Sequence, residues 1–151
     1  MKKNSILITL LFFILVSCGY QPILLNKKNN FNIEKIELIK KNRLNKFIKN
    51  NLNSISNNDG DRKISLKIDS TKKKVTTSKD AKGNSQILKM TLSVDVKVYE
   101  KNELKSEKIF FESFSYSNNS NKFYLSKYEK NIEKNLRDKI IKNITVYLIS
   151  F

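Results

Sequence analysis

The chain has 151 residues, with 30 Lys and Arg against 14 Asp and Glu, a formal charge of +16, no His, one Cys and one Pro. Without an imidazole and with a single thiol it holds no Ser-His-Asp or Cys-His catalytic set, no His/Cys zinc cage, no internal disulfide and no Cys-x-x-Cys redox pair. The composition points away from an enzyme, toward a protein with no catalytic residues, no metal and no cofactor. Its length suits one domain, and 39% apolar residues suffice for a core.

Lys2 and Lys3 give a charged start, and Ile6 to Val16 is an apolar run broken only by Thr9. The run is shorter than the roughly 20 residues a membrane-spanning helix needs, and it fits the core of an export signal. It ends in Leu15-Val16-Ser17-Cys18, which resembles the lipobox of bacterial lipoproteins. That resemblance implies a thioether from Cys18 to diacylglycerol, cleavage before Cys18, and acylation of the new amino group with a palmitate-type chain. The chemistry calls for a sulfur nucleophile, which only cysteine supplies here. The bland alternative is a cysteine that merely follows an ordinary secretory signal. Residues 1–17 are thus expected to be a lipoprotein signal peptide, 18–30 a lipidated tether containing Pro22, and 31–151 a single domain. Removing the signal takes Lys2 and Lys3 and lowers the charge from +16 to +14.

Phe31 to Ile39 reads as a strand whose apolar residues do not alternate cleanly. Leu44, Phe47, Ile48, Leu52 and Ile55 then form one stripe of an amphipathic helix, with Asn42 as its N-cap and Asn57-Asn58-Asp59-Gly60 as its end. From Ile64 the period changes to two: Ile64, Leu66 and Ile68, and later Leu88, Met90, Leu92, Val94, Val96 and Val98, alternate with polar residues. One apolar and one polar face is the mark of an antiparallel sheet covered on one side. Lys72 to Asn84 joins these strands through a hairpin tip, Lys101-Asn102-Glu103 makes a tight turn, and a strand runs from Ile109 to Tyr116. In that strand the adjacent Phe110 and Phe111 must point to opposite faces.

The last element is a long helix in which Tyr128, Ile132, Leu136, Ile140, Ile144 and Leu148 recur every fourth residue. Ser126 and Glu129 have capping-box spacing, and Glu133 stands four residues before Arg137. The order βαβββα predicts an α+β domain, a four-stranded mostly antiparallel sheet with two helices packed on one face.

The lipobox cysteine followed by Gly19-Tyr20-Gln21-Pro22, the βαβββα order, Phe114-Ser115-Tyr116-Ser117 before a loop, and the helix from Phe123-Tyr124 to Leu148 together resemble the LptE family, the lipopolysaccharide-assembly lipoproteins of the outer membrane. The likeness is to the short alphaproteobacterial type. It implies a non-enzymatic plug that sits in the lumen of the LptD β-barrel, helps that barrel assemble, and takes part in lipopolysaccharide transport to the outer leaflet. It also implies a lipid anchor on the periplasmic side of the outer membrane; Gly19, rather than Asp, follows Cys18, in line with that location. The family's lipid-contacting basic residues lie between the second and third strands and near the start of the last helix. By position these match Lys79 and Lys82, then Lys122 and Lys127. Lys ammonium groups suit lipid phosphates as point charges.

Two other readings stand beside this one. Of the 30 cations 27 are Lys, and Asn is abundant, as in proteins from A/T-rich genomes, so each of these lysines also reads as an ordinary solvated charge. A periplasm-facing lipoprotein that binds an anionic ligand or envelope component without a barrel partner would share the same signal and basic surface. Nucleic acid is not an expected partner: no RNP-like motif or basic helix stripe is present, and the export signal removes the chain from it.

Overall fold

Six elements follow one another in a computed structural model that describes residues 30–150. They are β1 (Phe31–Leu38), α1 (Arg43–Ile55), β2 (Arg62–Lys79), β3 (Ser85–Glu100), β4 (Glu103–Ser117) and α2 (Lys122–Ser150). The signal segment, Cys18 and most of the tether lie outside the described residues. The strands form one sheet in the order β1-β2-β3-β4. α1 carries the chain across one face, so β1 and β2 are parallel, whereas two hairpins make the β2-β3 and β3-β4 pairs antiparallel. The α+β class and the βαβββα order are as the sequence predicts.

The alternation of β3 decides which face is covered. Leu88, Met90, Leu92, Val94, Val96 and Val98 are all buried under the helices, together with Ile64, Leu66 and Ile68 of β2. Against them α1 places Leu44, Ile48 and Leu52, and α2 places Leu125, Ile132, Leu136, Ile140, Ile144 and Leu148. The uneven pattern of β1 has a local cause: its register against β2 shifts between Ile33 and Lys35. An extra residue there lets Ile33 and Ile36 both face the core despite their odd spacing. Phe110 is buried (7% exposed) and Phe111 stands on the open face (70% exposed), as their adjacency requires.

The turns follow from their residues. Asn42 caps α1 by accepting the Asn45 N–H at 2.7 Å. Lys101 and Asn102 both adopt positive φ, 49° and 67°, the pair of left-handed residues that a two-residue hairpin demands. Gly83 closes the β2-β3 tip at φ 83°, beside Asp80, whose carboxylate accepts the Lys82 and Asn84 N–H groups at 2.9 and 2.8 Å.

Three local expectations change. α2 begins at Lys122, and Asn121 rather than the Ser126–Glu129 pair serves its first free donors: Asn121 Oδ1 accepts the Phe123 and Tyr124 N–H groups at 3.1 and 3.2 Å. Glu133 pairs with Lys72 of β2 at 2.9 Å, while the Arg137 guanidinium lies 4.0 Å above the Phe47 ring and ties α2 to α1. Lys72 to Lys79 is strand, leaving only the residues around Asp80–Asn84 for the tip.

Candidate functional site

The β2-β3 hairpin is longer than the sheet around it. β1 pairs with β2 only as far as Leu38 opposite Ile68, so from Thr71 onward β2 has no neighbour on that side among the described residues. This projecting arm carries Lys72, Lys73, Lys74 and Lys79 on β2, Lys82 in the tip and Lys89 on β3.

Strand alternation divides these cations. Lys72 and Lys74 point toward α2 and are paired there, Lys72 with Glu133 at 2.9 Å and Lys74 with Glu129 at 3.1 Å. Glu129 also accepts the Tyr116 hydroxyl at 2.7 Å. Partial burial pushes the Glu129 carboxyl up, but the hydrogen bonds from Tyr116 and Lys74 and the charges of Lys74 and Lys72 outweigh it, and the net effect holds it below the ordinary glutamate value. Lys73 and Lys89 stand on the other face: Lys73 is opposite Thr91 and Lys89 opposite Val75, which makes the two lysines diagonal neighbours.

Of the four lysines singled out by position, Lys79 ends β2, Lys82 lies in the tip, Lys122 opens α2 and Lys127 follows in its second turn. All four are exposed, and none is in a salt bridge among the described residues. The fold brings them to one end of the molecule. The loop after β4 is stitched to the base of the hairpin tip, with Asn118 N–H donating to Gln86 O and Asn118 Nδ2 to Ser85 O, both at 2.8 Å. Lys73 and Lys89 add to the same basic end, and alternation within Lys72-Lys73-Lys74 was the signal that could have separated Lys73 from its neighbours. The single carboxylate at the tip, Asp80, is turned inward onto the Asn84 side chain and the N–H groups of Asn84 and Lys82, which hold its pKa below the ordinary value.

Apolar surface adjoins these charges. Phe123 and Tyr124, beside Lys122, are exposed, and their rings meet edge to face at 6.1 Å. A hollow lined by Tyr124, Leu125 and Tyr128 shares Tyr128 with a groove of about 380 Å³ between β4 and α2, which Phe114, Ile132 and Leu136 also line. A cationic end that runs into a groove with apolar walls and a polar rim of Asn131, Asn135, Asp138 and Lys139 suits an amphiphile with a phosphorylated head. Among the described residues no cluster of three or more acidic or Cys side chains could hold a metal, and no helix is long and apolar enough to cross a membrane.

No family model and no curated protein matches the chain. Solved structures do. Rare lipoprotein B from Shewanella oneidensis superposes with a TM-score of 0.55 at 14% identity, over 77% of this chain and 97% of that one. A minor lipoprotein from Acinetobacter baumannii gives 0.59 at 14% identity, over 81% and 92%. A putative lipoprotein from Caulobacter crescentus gives 0.55 at 11% identity, over 76% and 88%. At these identities the likeness is one of fold: this chain has the fold of a group of bacterial lipoproteins.

Proposed function

We propose that this chain is an LptE-type lipoprotein, anchored through lipid on Cys18 to the periplasmic side of the outer membrane. It acts without catalysis, as a plug in the lumen of an LptD β-barrel, and takes part in passing lipopolysaccharide to the outer leaflet. The observation that carries the reading is the combination of a lone cysteine placed at the end of an apolar N-terminal run with a domain whose fold recurs in lipoproteins over most of their length.

The surface supports the same role. A domain with one open sheet face that is polar except along its β4 edge fits a water-lined lumen while acyl chains hold its N-terminus in the bilayer. The unpaired lysines at the hairpin end, Lys79, Lys82, Lys122 and Lys127 joined by Lys73 and Lys89, offer point charges for lipid phosphates, and the aromatic groove beside them offers a place for apolar chains.

The test is affinity purification of the tagged chain from detergent-solubilised membranes, with mass spectrometry of the captured proteins and of the N-terminal peptide. The expected result is a large β-barrel in stoichiometric amount, a Cys18 carrying diacylglycerol on sulfur and an acyl chain on its amino group, and loss of surface lipopolysaccharide when the protein is depleted. Recovery of the chain alone with unchanged surface lipopolysaccharide would overturn the reading in favour of a lipoprotein that binds its anionic ligand without a barrel.

A further inference from the structure

β4 closes the sheet, and among the described residues no strand lies on its outer side. An edge of 15 residues without Pro, with Ile109 and Phe111 standing 61% and 70% exposed on its open face, is a template for another strand. Edges of this kind are ordinarily blunted by scattered charge. Here one pair of charges is placed symmetrically: Lys108 and Glu112 flank Phe110 at equal distance, as do Ile109 and Phe111, and Phe110 is the middle residue of β4.

We propose that two copies of this chain pair along their β4 edges, antiparallel about a two-fold axis at Phe110. The joined sheet has eight strands, with both α2 helices on one face. In this register Ile109 of one copy lies against Phe111 of the other on the open face, twice, and Lys108 lies against Glu112 on the helix side, again twice. Opposite charges and apolar pairs directly across strands each stabilise the ladder. Neighbouring registers lose both charge pairs and keep only the single apolar pair on the axis, Ile109 with Ile109 or Phe111 with Phe111. Centring on Ile109 sets Phe111 against Glu107 and Glu112 against Ser106; centring on Phe111 sets Lys108 against Phe114 and Ile109 against Ser113. A shift by a single residue would turn Phe111 onto the helix side and is excluded by the pleat.

The two charged groups are available for this use. Lys108 lies 5.4 Å from the Phe110 ring centre and 4.9 Å from that of Tyr147, and it has no carboxylate partner among the described residues. Among the described residues Glu112 accepts only the Asn143 side-chain amide, at 3.1 Å. The ladder is bounded on one side by the irregularity at Lys105, where the β3-β4 register slips, so pairing runs from Ser106 to Phe114. This self-association belongs to the domain outside any barrel and does not rest on the proposed LptD partnership.

The experiment uses the full chain in detergent micelles. Zero-length carbodiimide should join Lys108 of one copy to Glu112 of the other, a bond that cannot form within one copy, where the two lie about 13 Å apart along the strand. Light scattering corrected for detergent should give a dimer at tens of micromolar. K108E or E112K alone should weaken the dimer at least tenfold, and the double swap should restore it. Phe111→Ser, at an exposed position, should weaken it with the thermal melt unchanged, which guards against a variant that merely misfolds. A monomer at 100 micromolar, a dimer indifferent to both single swaps, or failure of the double swap to restore it would overturn the proposal.

Discussion

The Tyr116 hydroxyl donates to Glu129 Oε1 at 2.7 Å and so pins the end of β4 to the first turns of α2, with Lys74 of β2 closing on the same carboxylate from the neighbouring hairpin. Three elements meet on one acid. Removing the donor by Tyr116→Phe leaves Glu129, whose side chain is only 18% exposed, short of a partner. Chemical denaturation at pH 7 should show a loss of about 1.5 kcal/mol, the ordinary worth of a hydrogen bond to a charged group. Glu129 is held below its unfolded value, so its stabilisation is present above that value and disappears as the pH falls through the folded one. The wild type should therefore lose stability below about pH 4.5, and Tyr116→Phe should lose less over the same interval. Burial and the neighbouring carboxylate push the Tyr116 hydroxyl well above the ordinary tyrosine range. Absorbance titration at high pH should show one late tyrosine that vanishes in the variant.

Asp95 shows the opposite balance. It faces Asp69 directly across the β2-β3 ladder; burial raises its pKa first, then the nearby Glu107, against the pull of Lys97, with Asp69 adding to the rise. Its Oδ1 is buried without a hydrogen-bond partner. A group whose folded pKa is raised contributes most below its unfolded value and loses that contribution as the pH climbs through the folded one. At neutral pH the charged form is therefore a cost, and Asp95→Asn should raise the stability of the domain in chemical denaturation at pH 7. The gain should shrink as the pH is lowered and Asp95 takes up its own proton. A variant less stable than wild type at pH 7 would show that Lys97 dominates the site.

Gly60, just before β2, has space only for a hydrogen. A Cβ there would stand 2.6 Å from the Phe31 carbonyl carbon and 2.8 Å from its nitrogen, and both contacts are backbone, so neither can swing aside. The close approach lets the chain return from α1 to lay β2 beside β1, where Arg62 N–H donates to Asn30 O and Asn57 N–H to Phe31 O. Gly60→Ala should cost about 1–3 kcal/mol through displaced backbone, measurable as a lower urea midpoint at unchanged slope.

These cases show where sequence reading succeeds and where it stops. The alternation of β3 and the four-residue recurrence of α2 are strong enough to fix which side chains are buried, because a slip of one residue would bury lysines. β1 was harder to read, since one extra residue in a strand breaks a period of two without leaving a mark in composition. Ser126 and Glu129 carry the spacing of a capping box, yet the loop held against Ser85 and Gln86 brings Asn121 to the start of α2 instead, a placement no local pattern shows. At the candidate site, counting lysines could not tell paired from unpaired ones. Lys72 and Lys74 became structural partners of α2, a relation across more than 50 residues of sequence that no local pattern encodes.

That division makes the role of the lysines testable. Lys79 and Lys82 are exposed and without carboxylate partners among the described residues, so replacing both by Ala should leave the thermal melt within experimental error, as surface changes away from packed features usually do. If the hairpin end meets lipid phosphate, binding of purified lipopolysaccharide should fall severalfold in the double variant, and the wild-type affinity should drop with added salt more steeply than that of the variant, because fewer charges remain to be screened. Lys122→Ala with Lys127→Ala should behave in the same way if the start of α2 shares the task. Lys72→Ala with Lys74→Ala serves as the contrast: it removes two cations from the same arm but unpairs Glu133 and Glu129, so it should lower stability while reducing lipid binding less than the tip variant does. Equal losses of binding in all three pairs would mean that net charge alone attracts the lipid, and unchanged binding in the tip variant would remove Lys79 and Lys82 from the site.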